Sequence, residues 1–190
     1  MIDFILNNKT KIIAIHLAFG FLGTLPFFPN LLGLVVILVP AYIIITKGNE
    51  NEVAFLFAAY IAGGEVFVRM TGGFILYETG KYLVILFLSL GLLTGRFKQS
   101  FSIQYLLYLF LLLIGIIFTQ VPEGESLRKN VLFNLSGPIV LGVSAFYFYQ
   151  RPISLKVLQD ALFFMLLPLF SMIMYLYFRT PDLREIVFQS

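Results

Sequence analysis

The chemistry this sequence could carry begins at two charged residues set into an otherwise apolar run. In Ala58-Ala59-Tyr60-Ile61-Ala62-Gly63-Gly64-Glu65-Val66-Phe67-Val68-Arg69, helical periodicity puts Ala58, Ala62, Glu65 and Arg69 on one face. Glu65 precedes Arg69 by four residues, the order that favours an ion pair along a helix. Ionised groups in an apolar setting cost several kcal/mol, roughly 3 on insertion scales, unless they are paired or hydrated. Two readings follow, and both turn the pair toward the protein interior. In the plainer one it locks neighbouring helices. In the sharper one Arg69 faces a polar cavity and binds an anionic group, with Glu65 orienting it.

The next segment, Met70-Thr71-Gly72-Gly73-Phe74-Ile75-Leu76-Tyr77-Glu78-Thr79-Gly80-Lys81-Tyr82, adds a second cation behind a pair of glycines. Glycine permits a tight backbone turn, and Arg69 and Lys81 would bracket it with Glu78 between them. Arginine offers a fork of donors and lysine a point charge, so the pair could cradle a phosphate or pyrophosphate. The plainer reading is an interfacial loop whose long side chains reach for water. A third candidate is Asn134-Leu135-Ser136-Gly137-Pro138. Pro138 cannot donate to the carbonyl of Asn134, and a freed carbonyl beside Asn134 and Ser136 could line a polar cavity. An ordinary proline kink is the alternative. Pro40 and Pro168, in less polar surroundings, are assigned to packing.

Other chemistry falls away. With no Cys and a single His, His16, the chain offers no thiolate nucleophile, disulfide or Cys- or His-rich metal site. No cofactor is expected. His16 is read as a hydrogen-bonded packing residue. Ser126-Leu127-Arg128-Lys129 fits an S-x-x-K pattern but lacks the accompanying K-T-G element. Asn134-Leu135-Ser136 fits a glycosylation sequon inside an apolar stretch that no transferase reaches. A net charge of +3 scattered over short loops does not suggest nucleic acid as a partner.

The elements that must position these residues are helices in lipid. Hydrophobic residues make up 59% of the chain and charged ones 12%, about half the charged share of soluble domains. Mean hydropathy is +0.94. Lipid is the solvent that accepts such a surface. Seven apolar stretches stand out: Ile12–Pro26, Leu31–Thr46, Val53–Val68, Lys81–Gly95, Ile103–Thr119, Val131–Tyr149 and Ala161–Phe178. The expected fold is therefore all-α, a single transmembrane bundle over residues 1–190 with about seven helices. Six remain possible if one stretch is re-entrant. The first stretch is read as a retained helix forming a hairpin with the second. The fourth would reach spanning length if it began near Phe74. Between the stretches lie short loops at Lys47–Glu52, Arg96–Ser100, Gln120–Asn130 and Gln150–Asp160.

Seven Lys/Arg residues (Lys9, Lys11, Lys47, Arg96, Lys98, Arg151, Lys156) fall on one side and six (Arg69, Lys81, Arg128, Lys129, Arg179, Arg184) on the other. Counting Arg69 as a site residue leaves seven against five, which places the N-terminus in the cytoplasm.

The run Ala62–Gly73, the following Tyr77-Glu78-Thr79-Gly80-Lys81-Tyr82 and the later Asn134-Leu135-Ser136-Gly137-Pro138 together resemble the bacterial O-antigen ligase and polymerase-like membrane proteins. The resemblance extends over most of the chain. It implies a multi-pass inner-membrane glycosyltransferase that moves a glycan from a polyprenyl diphosphate to a lipid or sugar acceptor, without metal or nucleotide. It makes Arg69 and Lys81 the candidates for holding the diphosphate, with Glu65 and Glu78 beside them. The expected partners are membrane lipid and the polyprenyl-diphosphate-linked glycan. Members of that family are longer, and place a catalytic His and Arg in a large outer loop of their second half. This chain, with His16 in its first helix, lacks that base. It is accordingly read as the N-terminal half of such a protein, inactive alone, with the C-terminal half as a further partner. The alternative is a non-enzymatic transporter or assembly subunit in which Glu65–Arg69 only packs. A membrane protease is disfavoured by the missing Cys and the absence of H-E-x-x-H.

Overall fold

The computed structural model describes residues 2–73, 78–95, 102–121, 124 and 126–179, with backbone alone at 127–129 and 132. Among the described residues every regular element is helical: α1 (Ile2–Asn7), α2 (Lys9–Leu22), α3 (Phe28–Lys47), α4 (Val53–Thr71), α5 (Thr79–Thr94), α6 (Ile103–Ile117), α7 (Leu127–Phe148) and α8 (Leu155–Arg179), plus a 3-10 turn at Glu50–Glu52. Each apolar stretch contains one long helix. Three are long and apolar enough to cross a membrane, Phe28–Lys47, Glu50–Thr71 (the turn continuing into α4) and Leu155–Arg179. The molecule is a membrane protein built as a helical bundle. The expected start near Phe74 and the Arg96–Ser100 loop lie outside the described residues.

Local chemistry sets the helix ends. Pro29 occupies the first turn of α3, where its missing N–H costs nothing. Asn49 Oδ1 accepts the Ala54 N–H at 2.9 Å and satisfies a first-turn donor of α4. At the other end Gly72 adopts a left-handed φ of 77°, and Gly73 N–H donates to the Val68 carbonyl at 2.8 Å, closing the helix as glycine C-caps do. Two expected loops are partly helical: α7 begins at Leu127 and α8 at Leu155. Hydropathy marks the apolar slab, and these helices start in polar turns outside it.

α4 is the central helix, packed along α8, α5 and α3. Phe57 anchors this core, edge-on to Phe87 at 6.4 Å and to Phe164 at 6.1 Å between ring centroids. Gly63 lets α8 close in: a Cβ there would collide with the Met165 carbonyl, and one on Gly64 would press on Pro168. The expected hairpin of the first two long helices is corrected. α2 lies along α8 rather than α3, with Gly20 against Ser171 and Ser171 Oγ donating to the His16 carbonyl at 2.7 Å.

Candidate functional site

The site candidates from α4, α5 and α7 meet at one end of the bundle. Arg69 Nη2 donates to Glu65 Oε1 at 2.6 Å. One turn into α5, Lys81 Nζ lies 2.5 Å from Glu78 Oε2. The buried Ser136 of α7 reaches both: its Oγ donates to Glu78 Oε2 at 2.9 Å and accepts from Lys81 Nζ at 3.3 Å. Gly80 joins the two pairs, because a Cβ there would stand 2.8 Å from Glu65 Cγ. The absence of a side chain at 80 is what lets α5 lie against Glu65.

Electrostatics bind the cluster together. Burial alone would push the Glu78 carboxyl up. Hydrogen bonds from Lys81 and Ser136, with the charges of Lys81 and Arg69, outweigh that and hold it below the usual carboxylate range. Glu78 lies outside the membrane-spanning segments, in the connection ahead of α5. The interior placement expected of Glu65 and Arg69 holds only in part. Glu65 is half-buried with 23% of its side chain exposed, whereas Arg69 is 37% exposed. The face they share is itself mixed, since Ala58 is buried and Ala62 exposed.

The Asn134–Ser136–Pro138 segment divides between two places. Ser136 joins the cluster. Asn134 is exposed and borders a cleft of about 360 Å³ with Tyr108, Gly115 and Thr119 of the α6 side. The helix continues through Pro138, whose carbonyl accepts the Tyr108 hydroxyl at 3.4 Å. His16 is buried as a packing residue: Nδ1 donates to the Ile12 carbonyl at 2.9 Å, so Nε2 accepts from the Tyr60 hydroxyl at 3.1 Å. Among the described residues no group of His, Asp and Glu could hold a metal ion.

A second polar network, at the opposite end of α4, has no counterpart in the sequence reading. Arg151 Nη1 bonds Glu52 at 2.9 and 3.1 Å, and its Nε donates to the Tyr147 carbonyl at 3.0 Å. The guanidinium carbon sits 4.2 Å from the centre of the Tyr147 ring. Tyr147 donates to Glu52 Oε2 at 2.5 Å and accepts from Asn49 Nδ2 at 2.7 Å. Asn51 and Glu52 both take left-handed φ, 54° and 57°, a conformation costing roughly 1 kcal/mol for a residue with a side chain. Arg151 secures the strained Glu52 against that cost. Clefts of about 370 and 430 Å³ open at this end, edged by Lys47 and Glu50 in both cases. Their walls carry charges of both signs.

Compared with protein-family models, with curated proteins and with solved structures, the chain matches none.

Proposed function

We propose that the chain acts in the manner of the O-antigen ligase and polymerase-like proteins, as the transmembrane portion that holds a polyprenyl-diphosphate-linked glycan at the surface of a bacterial inner membrane. The observation that carries this reading is that the Glu65–Arg69 pair of α4 and the Lys81–Ser136 contact of α5 and α7 lie at one edge of the bundle, joined where Gly80 meets Glu65. A forked cation, a point cation and a hydroxyl are the donors a diphosphate takes. The apolar helices below would accommodate its lipid tail. On this reading the chain supplies binding and no transfer chemistry. Moving a glycan to a hydroxyl gains from a positioned proton acceptor, but His16 uses both ring nitrogens internally and Glu78 is engaged by Lys81 and Ser136.

The test is an assay in reconstituted membranes with lipid-linked glycan. The chain should bind the donor without transferring the glycan, and Arg69→Ala and Lys81→Ala should each weaken binding about tenfold, the order of one charge-assisted hydrogen bond. Wild-type affinity in both variants would return the cations to packing. A second reading, a non-enzymatic transporter or assembly subunit, is favoured by the carboxylate partner that each cation already has. There the same substitutions would leave donor binding untouched.

A further inference from the structure

Glu78 is the residue this cluster closes around. Its side chain is 9% exposed, against 35% for Lys81. The Lys81 ammonium from α5 and the Ser136 hydroxyl from α7 both engage the same oxygen, Oε2. An ammonium and a hydroxyl converging on one anionic oxygen are also what a phosphate oxygen would require. Among the described side chains, the four charges Glu65, Arg69, Glu78 and Lys81 sum to zero, so these four offer no excess of cations with which to draw in a multiply charged headgroup. A carboxylate remaining at Lys81 would repel that headgroup at close range.

We propose that Glu78 is an internal stand-in for the ligand, occupying Lys81 and Ser136 in the unliganded protein and yielding them when a diphosphate binds. The inference rests on the anion-binding reading above. Two observations favour Glu78 over Glu65 for this part. Lys81 and Ser136 bond Glu78, whereas Glu65 bonds Arg69 within its own helix. Glu78 precedes the first residue of α5 yet makes no capping hydrogen bond to that helix, so its departure removes no backbone bond from α5. Its depressed proton affinity accords with a carboxylate held as an anion among donors suited to another anion.

The test uses the purified chain in nanodiscs of zwitterionic lipid, titrated with farnesyl diphosphate, with farnesol as the uncharged control. Glu78→Gln keeps the shape and removes the competing charge. It should bind farnesyl diphosphate about tenfold more tightly than wild type, with farnesol binding unchanged, as expected for lifting a like-charge repulsion. Lys81→Gln should bind the diphosphate more weakly. Glu78→Asp keeps the charge but retracts it by one methylene, and should give a smaller gain in the same direction. It serves as the reporter if Glu78→Gln does not fold. If Lys81→Gln loses affinity while both Glu78 variants bind no better than wild type, the stand-in role is overturned and the anion site survives. Wild-type affinity in Lys81→Gln would overturn the anion site, and the stand-in role with it.

Discussion

Arg69 and Arg151 each hold a glutamate, and their surroundings decide what each contact is worth. The Arg69 side chain is 37% exposed and that of Arg151 is 3%. An exposed pair contributes about 0–1 kcal/mol, whereas removing one member of a buried pair costs about 3–5 kcal/mol because the other charge is stranded. Arg151→Met should therefore lower the melting temperature substantially, losing the Tyr147 ring contact as well. Arg69→Met should barely change it. Equal shifts in the two variants would contradict the assigned burial. Glu78 makes a separate pH prediction. Its folded proton affinity lies below the ordinary value, so its contribution to stability is complete above the unfolded pKa of about 4.3 and is lost as pH falls through the lower folded value. In melting curves from pH 7 to 3, the gap between wild type and Glu78→Gln should stay constant to about pH 4.3 and close only below it. Closure already at pH 6 would mean that the carboxyl is not held down by Lys81 and Ser136.

Helix packing depends on small residues where backbones meet. Gly63 of α4 faces the Met165 carbonyl of α8, a backbone group that cannot step aside. Gly63→Val should separate the two helices and destabilise by about 1–3 kcal/mol, the usual cost of overpacking. Gly72→Ala, where φ is 77° and a Cβ would meet nothing within 4 Å, tests left-handed backbone alone and should cost about 1 kcal/mol. Matching losses in the two variants would argue against close packing at Gly63. Ala59 and Gly63 stand four apart in the sequence, and small residues at that spacing are a signal of a close helix contact. The identity of the partner was not legible. Nothing local ties Gly63 to Met165, and chain adjacency suggested an α2–α3 hairpin where α2 in fact packs on α8 through Gly20 and Ser171. The same limit hid the Glu52–Arg151 bond: both residues sit at the margins of apolar stretches, and their separation along the chain gives no period to detect. Glu65 and Arg69 were legible from their helical spacing, and Glu78 and Lys81 from their place behind the Gly72–Gly73 pair. Ser136 was noticed for its proline, and only the packing of α7 on α5 brought it to Glu78.

At the scale of the whole molecule, the two polar networks mark opposite edges of an apolar slab. Glu52 and Arg69 flank α4 at a separation of about 26 Å for a straight helix, close to the ~30 Å of a hydrocarbon core. At the Glu52 edge, Asn49 and Arg151 lie together, with Gly91 of α5 against Asn49 and Tyr147. At the Arg69 edge lie Glu78, Lys81 and the contact of the Tyr175 hydroxyl with the Met70 carbonyl, 3.5 Å. Successive long helices thus alternate in direction from α3 to α5, and α7 runs parallel to α5. Continued through α6, this alternation puts Lys47 and Ser126 at opposite edges. The excess of Lys and Arg on the Lys47 side predicts that this edge faces the cytoplasm. Because the chain has no Cys, single cysteines introduced at Lys47 and at Ser126 can be labelled without background. In inside-out vesicles an impermeant maleimide should modify the cysteine at 47 and spare the one at 126, and in intact spheroplasts the preference should reverse. Labelling of both positions from one face would break the alternation, and would separate the Arg69–Lys81 cluster from the outer surface where a diphosphate headgroup is proposed to bind.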